Sequence, residues 1–354
     1  MGFEYSHMYK FTHRIMKDPN INDDTDFDSR DIHWNNVNTR LSLITRIVHK
    51  HMNSLYYKIN LKHIAKELKI EKYDLIHAHW TYPTGYIAML LSKKYNIPYV
   101  VTPYGTDIHT IPKGNKDIRK LTIKVLENAN KAIFLSQNLK EEALKLGYSG
   151  QNSQIIYKGV DSKDFKPLDK EKIKKELGFE KLVVGYIGRL ETVKGADKLP
   201  LIFYELSKRR SDVEFIIVGQ GSLKDSIIKK LNDLNIKYKY YKPMKQKELN
   251  KYMNLCDVIV VPSRDESFGC VPLEAQSCGT KVVASNVGGI PECVGDFGFL
   301  VDLGEEFEKR FAIEIENCLF IQLDTKSMIS RANGFTWQNE VEEEVKVYAS
   351  IIHS

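Results

Sequence analysis

The sequence predicts two doubly wound α/β domains, on the strength of its length, a repeated alternation of strands and helices, and a break in that alternation. At 354 residues the chain exceeds what one hydrophobic core supports. From residue 74 onward, short apolar runs alternate with longer amphipathic stretches, the βαβ rhythm of parallel sheets covered on both faces. Around "GVDSKDFKPLDKEKIKKELGFEK" the apolar runs stop and Asp, Lys and Pro collect, which marks a linker and an entering helix before the rhythm restarts.

In order, "YDLIHAHW" reads as a strand, "TGYIAMLLSKKY" as a helix, "PYVVTPY" and "KAIFLS" as strands, "NLKEEALKLG" as a helix and "SQIIYKG" as a strand. After the linker come strands at "LVVGYIG", "VEFIIVG", "IKYKYY", "DVIVVPS", "KVVASN" and "FGFLV". Between them lie "ADKLPLIFYELSKR", "SLKDSIIKKLNDL", "QKELNKYMNLC" and "LEAQSC", with helical spacing. The first 70 residues differ: they hold helical patches, but no apolar strand followed by a glycine-rich turn is visible. The first domain is therefore expected without its usual opening strand. In sheets of this kind ligands sit beyond the carboxyl ends of the strands, so the loops there, facing a cleft between domains, are the expected site.

Composition narrows the class. Hydrophobic residues make up 42% and charged residues 28%, ordinary values for a globular protein. No run approaches 18 consecutive apolar residues and "MGFEYSHMYKFTHRIMKDPN" has no apolar signal core, so neither a transmembrane helix nor a secretory leader is expected and the cytoplasm is the expected location. Cys256, Cys270, Cys278, Cys293 and Cys318 form no C-x-x-C pair and read as free thiols. The net charge of 52 − 46 = +6 is uneven: residues 1–160 hold 23 basic and 15 acidic side chains, 23 − 15 = +8, leaving 29 − 31 = −2 for the rest. A basic first half suits an anionic surface, such as lipid head groups at the inner face of a membrane or a phosphorylated acceptor, and equally a solvated lysine-rich face. Nothing in the pattern points to nucleic acid.

The segment "SRDESFGCVPLEAQSCG" carries the chemistry. Pro272 is tolerated within a helix only in the first turn, so a helix is expected to begin near Cys270. The backbone N–H groups of Phe268, Gly269 and Cys270 would then point outward at the positive end of the helix dipole, an anion site. Ser267 and Glu266 precede that helix and Glu274 lies one turn inside it. Eight residues of helix span about 12 Å, more than the roughly 5–9.5 Å of a glycosidase carboxylate pair, so the two glutamates are expected to touch different parts of one long ligand. A nucleotide sugar is such a ligand.

"GYIGRLETVKGAD" supplies the complementary charge: after a strand it carries Gly188, Arg189, Lys194 and Gly195, a loop that would present two cations, although it lacks P-loop spacing. "FIIVGQGSLKDSI" places Gly219 and Gly221 after another strand, a weak dinucleotide fingerprint and equally a tight turn. "SNVGGIPECVG" sets Gly288 and Gly289 before Pro291, a second expected helix start. In the first half, His77 and His79 lie two apart on a strand and should share a face. With no third ligand at useful spacing, no metal is expected there. Gly105, Thr106 and Asp107 follow the next strand, in a loop positioned to contact a ligand.

Taken together, "GRLETVKG", "VGQG", "DVIVVPSRDESFGCVPLEAQSCGTKVVAS", "GGIPE", "GFLV", "FTWQNEV", "YDLIHAHW" and "TPYGTD" resemble the retaining nucleotide-sugar glycosyltransferases of glycosyltransferase family 4, which have the GT-B fold. The resemblance covers about residues 74 to 350. It implies an acceptor-side domain over residues 1–162 and a nucleotide-sugar domain over 163–335, with a terminal helix, 336–354, packing back onto the first. It also implies that Arg189 and Lys194 bind the donor diphosphate, that Glu266 holds donor-sugar hydroxyls near the anomeric carbon, and that Glu274 holds the ribose. The backbone of Phe268, Gly269 and Cys270 would meet sugar and phosphate, with Ser267, Gly188, Gly219 and Gly221 lining the donor side and His79, Gly105, Thr106 and Asp107 the acceptor side.

The implied activity is transfer of a hexose-type sugar from a UDP- or GDP-sugar to a cell-surface polysaccharide or lipid-linked acceptor, with retention, without metal or cofactor. Two features depart from the family pattern besides the opening strand: Tyr104 precedes Gly105 where many members have histidine, and Lys242 stands where a glycine is common. A catalytically silent nucleotide-sugar-binding subunit, or a nucleotide-sugar epimerase on a similar fold, are the competing readings.

Overall fold

The computed structural model describes residues 53–353, which divide into two compact units. The first takes in residues 53–135, 139–156 and 343–353. Its sheet has β1 (Ile76–His79), β2 (Tyr99–Thr102), β3 (Lys131–Phe134) and β4 (Ser153–Ile155) side by side in chain order, every pair parallel. The expected absence of an opening strand falls largely on residues 1–52 and so lies outside the described residues. Residues 53–59 and 61–68 form helices α1 (Asn53–Ile59) and α2 (Leu61–Leu68). The second buries Leu61, Ile64, Ala65 and Leu68, the i, i+3, i+4, i+7 stripe of a surface helix.

Helix α3 (Tyr86–Tyr95) links β1 to β2 and stops at Asn96, whose left-handed φ of 56° ends the helix as such caps do. The segment "PYGTDIHT", read from sequence as a loop after β2, closes into a helical turn, α4 (Thr106–His109), followed by α5 (Ile111–Gly114). A further helix, α6 (Lys116–Asn128), fills a stretch to which the sequence pattern assigns no element. Asn115 caps it, its side chain accepting from the N–H groups of Asp117 and Ile118 at 2.9 and 3.1 Å, while Thr122, Val125 and Leu126 face inward. Helix α7 (Gln137–Leu146) leads to β4.

The second unit takes in residues 136–138 and 157–342. It opens with α8 (Lys170–Leu177), capped by the Asp169 carboxylate. Six parallel strands follow: β5 (Leu182–Ile187), β6 (Val213–Val218), β7 (Tyr238–Tyr241), β8 (Val258–Val261), β9 (Lys281–Ser285) and β10 (Gly298–Val301). Their spatial order is β10-β9-β8-β5-β6-β7. Helices α9 (Leu199–Arg209), α10 (Lys224–Asp233), α11 (Gln246–Leu255), α12 (Cys270–Ser277) and α13 (Ile290–Val294) connect them; α14 (Phe307–Phe320) and α15 (Thr325–Ala332) follow. Val184, Tyr186, Phe203, Phe215, Val258, Val260 and Phe311 form the core of one face, where the near-continuous β-branched strands meet α9 and α14.

The terminal helix, α16 (Trp337–Ile352), enters the first unit from Glu343 onward. There Val347 and Tyr348 pack on Leu75, Val100, Ile133 and Ile156. Among the described residues no helix is long and apolar enough to cross a membrane.

Candidate active site

Strand order in the second unit reverses between β5 and β8: β6 and β7 follow to one side of β5, β9 and β10 to the other side of β8. At such a reversal the chain continues from the two central strands to opposite sides of the sheet, and the region beyond their carboxyl ends is where open α/β sheets bind ligands. The loop after β5 carries Gly188, Arg189 and Lys194, and the loop after β8 carries Glu266, Ser267, Phe268 and Gly269. Residues expected from sequence to be the chemistry-bearing ones therefore share one strand-end cluster.

Within it, Lys194 donates to Glu266 Oε1 at 2.7 Å, and Ser263, buried in the same loop as Glu266, donates to that oxygen at 3.0 Å. Both side chains of the ion pair are partly exposed, 25% for Lys194 and 14% for Glu266, so a ligand can reach them. Glu266 is also held from behind, because the Gly289 N–H donates to its carbonyl at 2.9 Å. Arg189 is exposed, and among the described residues its guanidinium has no acceptor. Burial pushes the Tyr186 phenol well above its ordinary pKa, and the Glu266 charge adds to that while Arg189 opposes it, which places the phenol in the field of both.

Helix α12 begins at Cys270 with Pro272 in its first turn, as the proline predicts, and Gly269 caps it at a φ of 102°. The Phe268 side chain is buried against the Tyr157 and Phe335 rings, at centroid distances of 5.2 and 5.7 Å, so only its backbone is available to a ligand. Among the described residues no carbonyl or side chain accepts from the N–H groups of Phe268, Gly269 and Cys270, as expected where a helix starts. These donors and the helix dipole favour an anion. Glu274 sits one turn inside α12. Its half-buried carboxyl has no hydrogen-bond partner among the described residues, and the loss of water around it pushes its pKa up to about 7.

Gly219 and Gly221 let two loops approach closely. A Cβ on Gly219 would lie 1.9 Å from the Gly188 carbonyl oxygen, and one on Gly221 would lie 2.3 Å from the Leu190 carbonyl oxygen. They let the loop after β6 pack against the loop that carries Arg189, the tight-turn reading of "VGQG". Glu191 completes that join by accepting from the Ser222 N–H and hydroxyl at 2.8 and 2.6 Å. Tyr186, Glu191 and Ser263 all stand within the quoted motifs, the first two in "GYIGRLETVKGAD" and the third opening "SRDESFG", but none is a candidate on residue type alone.

In the first unit, His77 and His79 share a face of β1 as the two-residue spacing predicts, with ring centroids 4.4 Å apart. His77 is buried between the Tyr348 hydroxyl at 2.6 Å and the Thr102 hydroxyl at 2.8 Å, and Tyr348 donates to Glu344 at 3.0 Å. His79 meets the Tyr104 hydroxyl at 2.9 Å, so the tyrosine that departs from the family pattern carries an imidazole on its hydroxyl. Asp107 is buried and accepts from the Thr81 and Tyr104 N–H groups at 2.7 and 2.9 Å. Its carboxylate thereby orders the strand-end turns that Gly105 and Thr106 begin.

The sequence profile of glycosyl transferases group 1 matches residues 169–319, and that of glycosyltransferase family 4 matches residues 25–164. Among curated relatives, a D-inositol 3-phosphate glycosyltransferase of Segniliparus rotundus is 26% identical over 289 residues, 75% of this chain and 64% of its own length. An N-acetyl-alpha-D-glucosaminyl L-malate synthase of Bacillus anthracis is 27% identical over 249 residues, 68% of this chain and 65% of its own. The chain thus spans a little under two-thirds of these relatives. Among solved structures, HepE of Anabaena in complex with UDP superposes with a TM-score of 0.71 at 23% identity, over 83% of this chain and 82% of its own. Sucrose-phosphate synthase of Thermosynechococcus elongatus gives 0.71 at 22%, over 85% and 79%. The two adjoining family matches place this chain in glycosyltransferase family 4, and the shared two-sheet architecture gives it the GT-B fold.

Proposed function

We propose that the chain is a glycosyltransferase that moves a hexose-type sugar from a UDP- or GDP-sugar to a cell-surface polysaccharide or lipid-linked acceptor, with retention and without a metal or other cofactor. The observation that carries this reading is the 2.7 Å Lys194–Glu266 pair at the reversal between β5 and β8, flanked by the exposed Arg189, the start of α12 and the Glu274 carboxyl, unpaired among the described residues. Each group has a donor-shaped task. Arg189, Lys194 and the α12 N–H groups suit a diphosphate, Glu266 suits sugar hydroxyls, and Glu274 suits a ribose. HepE, solved with UDP and with UDP-glucose, supports the choice of donor class.

On this reading Lys194 exchanges Glu266 for a donor phosphate oxygen, which frees Glu266 to accept from sugar hydroxyls. As the anomeric C–O bond to the diphosphate breaks, negative charge grows on the leaving oxygen. Cations fixed in place stabilise that charge more than they stabilise the intact donor; one such preorganised donor is worth about 2.7–4 kcal/mol. The acceptor oxygen bonds to the anomeric carbon from the face the diphosphate leaves, and its proton passes to the departing phosphate. Lysine and arginine take the place that a metal ion fills elsewhere. The +8 charge of residues 1–160 supports a cytoplasmic site of action at an anionic membrane face.

The test is nucleotide release from a panel of UDP- and GDP-hexoses, with and without membrane extract. Release that depends on extract and falls in Lys194→Ala supports transfer. Tight nucleotide-sugar binding without release, unaffected by Glu266→Ala, would instead identify a silent binding subunit.

A further inference from the structure

Lys194 and Glu266 lie on loops that leave different strands, 72 residues apart in sequence, yet they meet at 2.7 Å. The contact that holds the two loops together comes from a third residue. Arg264 Nη1 donates to the Thr192 carbonyl at 2.6 Å and to Asp197 Oδ1 at 2.6 Å, while Nη2 donates to Asp197 Oδ2 at 2.7 Å. The Arg264 backbone N–H reaches across to the Val193 carbonyl at 2.9 Å. The backbones close further at Gly195, where a Cβ would lie 1.8 Å from the Pro262 carbonyl oxygen.

The arrangement has a direction. Thr192, Val193 and Asp197 bracket Lys194 on both sides, and Arg264 stands between Ser263, which holds Glu266, and Glu266 itself. A single planar fork therefore grips the lysine loop while its own loop carries the lysine's partner. Its charge is spent on Asp197, a bidentate pair of the kind that adds geometric specificity. That separates it from Arg189, whose guanidinium is exposed and has no acceptor among the described residues.

We infer that Arg264, through its fork to Asp197 and Thr192, is a positioning residue that holds the Lys194 ammonium where charge develops on the leaving diphosphate. The inference rests on the phosphate role proposed for Lys194. A lysine at position 264 retains the charge but cannot span both Asp197 oxygens and the Thr192 carbonyl. With the lysine loop loosened, Arg189 and the α12 start still bind the donor, so the loss falls on turnover rather than on donor affinity.

The experiment measures kcat and donor KM for Arg264→Lys, Asp197→Asn, Lys194→Ala and the double variant Arg264→Lys/Lys194→Ala. The donor is whichever of UDP-glucose, UDP-galactose, UDP-N-acetylglucosamine and GDP-mannose releases nucleotide fastest with membrane extract, and thermal melts run alongside. Arg264→Lys and Asp197→Asn should each lower kcat about tenfold with KM within about threefold and an unchanged melt. In the Lys194→Ala background, Arg264→Lys should cost less than about twofold more, because its effect runs through the lysine. A folded Arg264→Lys enzyme with wild-type kcat, or a loss that multiplies in full in the double variant, overturns the positioning role. If Lys194→Ala itself keeps wild-type turnover, or no donor releases nucleotide, the phosphate assignment fails first.

Discussion

The strand ends of the two units treat their polar groups in opposite ways. In the first unit they are consumed internally: Asp107 by two backbone N–H groups, and His77 by Tyr348 and Thr102, with Tyr348 tied on to Glu344. In the second unit hydrogen-bonding capacity is left over among the described residues: an exposed arginine, a carboxyl without a partner at Glu274, and the N–H groups that open α12. A buried polar group without a partner costs free energy, and a ligand at the strand-order reversal would satisfy the Glu274 carboxyl and the α12 N–H groups. The difference teaches that polar residues in motifs of equal prominence can serve binding in one place and architecture in the other.

The comparison breaks if substitutions in the two regions have the same consequences. The largest contrast should come from Lys194→Ala, which is expected to cut turnover at least about tenfold, as loss of one charged hydrogen bond of about 1.5–3 kcal/mol implies, with a melt within a few degrees of wild type. Nucleotide-release kinetics and calorimetry on the same sample check both halves. Asp107→Ala should do the reverse, lowering stability by about 1–3 kcal/mol for each orphaned N–H, read from denaturant unfolding, while UDP binding to the folded protein stays near wild type. A smaller loss, about 1 kcal/mol per hydrogen bond, is expected for Tyr348→Phe, which removes the hydroxyl shared by His77 and Glu344.

Glu274 sharpens the contrast through pH. Its folded pKa of about 7 lies above the usual carboxylate value of 4.5, so the folded state holds a proton that the unfolded chain has already released in that window. The stability this contributes is complete below about 4.5 and is lost as pH rises through about 7. Glu274→Gln, which cannot ionise, should therefore gain in melting temperature relative to wild type between those values. UDP affinity in the wild type should gain as pH passes through about 7 and the carboxylate becomes a full acceptor for ribose hydroxyls, a component that the Gln variant should lack. An identical pH profile in both proteins would remove Glu274 from the donor site.

Much of the architecture was legible because parallel strands are buried on both faces and read as short β-branched runs: "LVVGYI", "VEFIIV" and "VIVV" allow little else. Pro272 likewise announced the start of α12. Helix α6 was harder, since its lysine-rich sequence shows only Thr122, Val125 and Leu126 facing inward and follows turn residues. The backbone contacts of Asp107 have no sequence signature, because a carboxylate after a strand looks the same in sequence whether it faces a ligand or caps nearby backbone. Lys194 and Glu266 could each be named from their motifs, but their pairing spans two loops, and the Arg264 fork that sets it has no local sequence signature.

The most direct test of the central claim is a crystal structure of the protein soaked with UDP-glucose or GDP-mannose. The account predicts a diphosphate about 3 Å from both the Lys194 ammonium and the Arg189 guanidinium, at the start of α12, with the ribose hydroxyls on Glu274 and Lys194 parted from Glu266. A nucleotide bound elsewhere, with the Lys194–Glu266 pair intact, would contradict it.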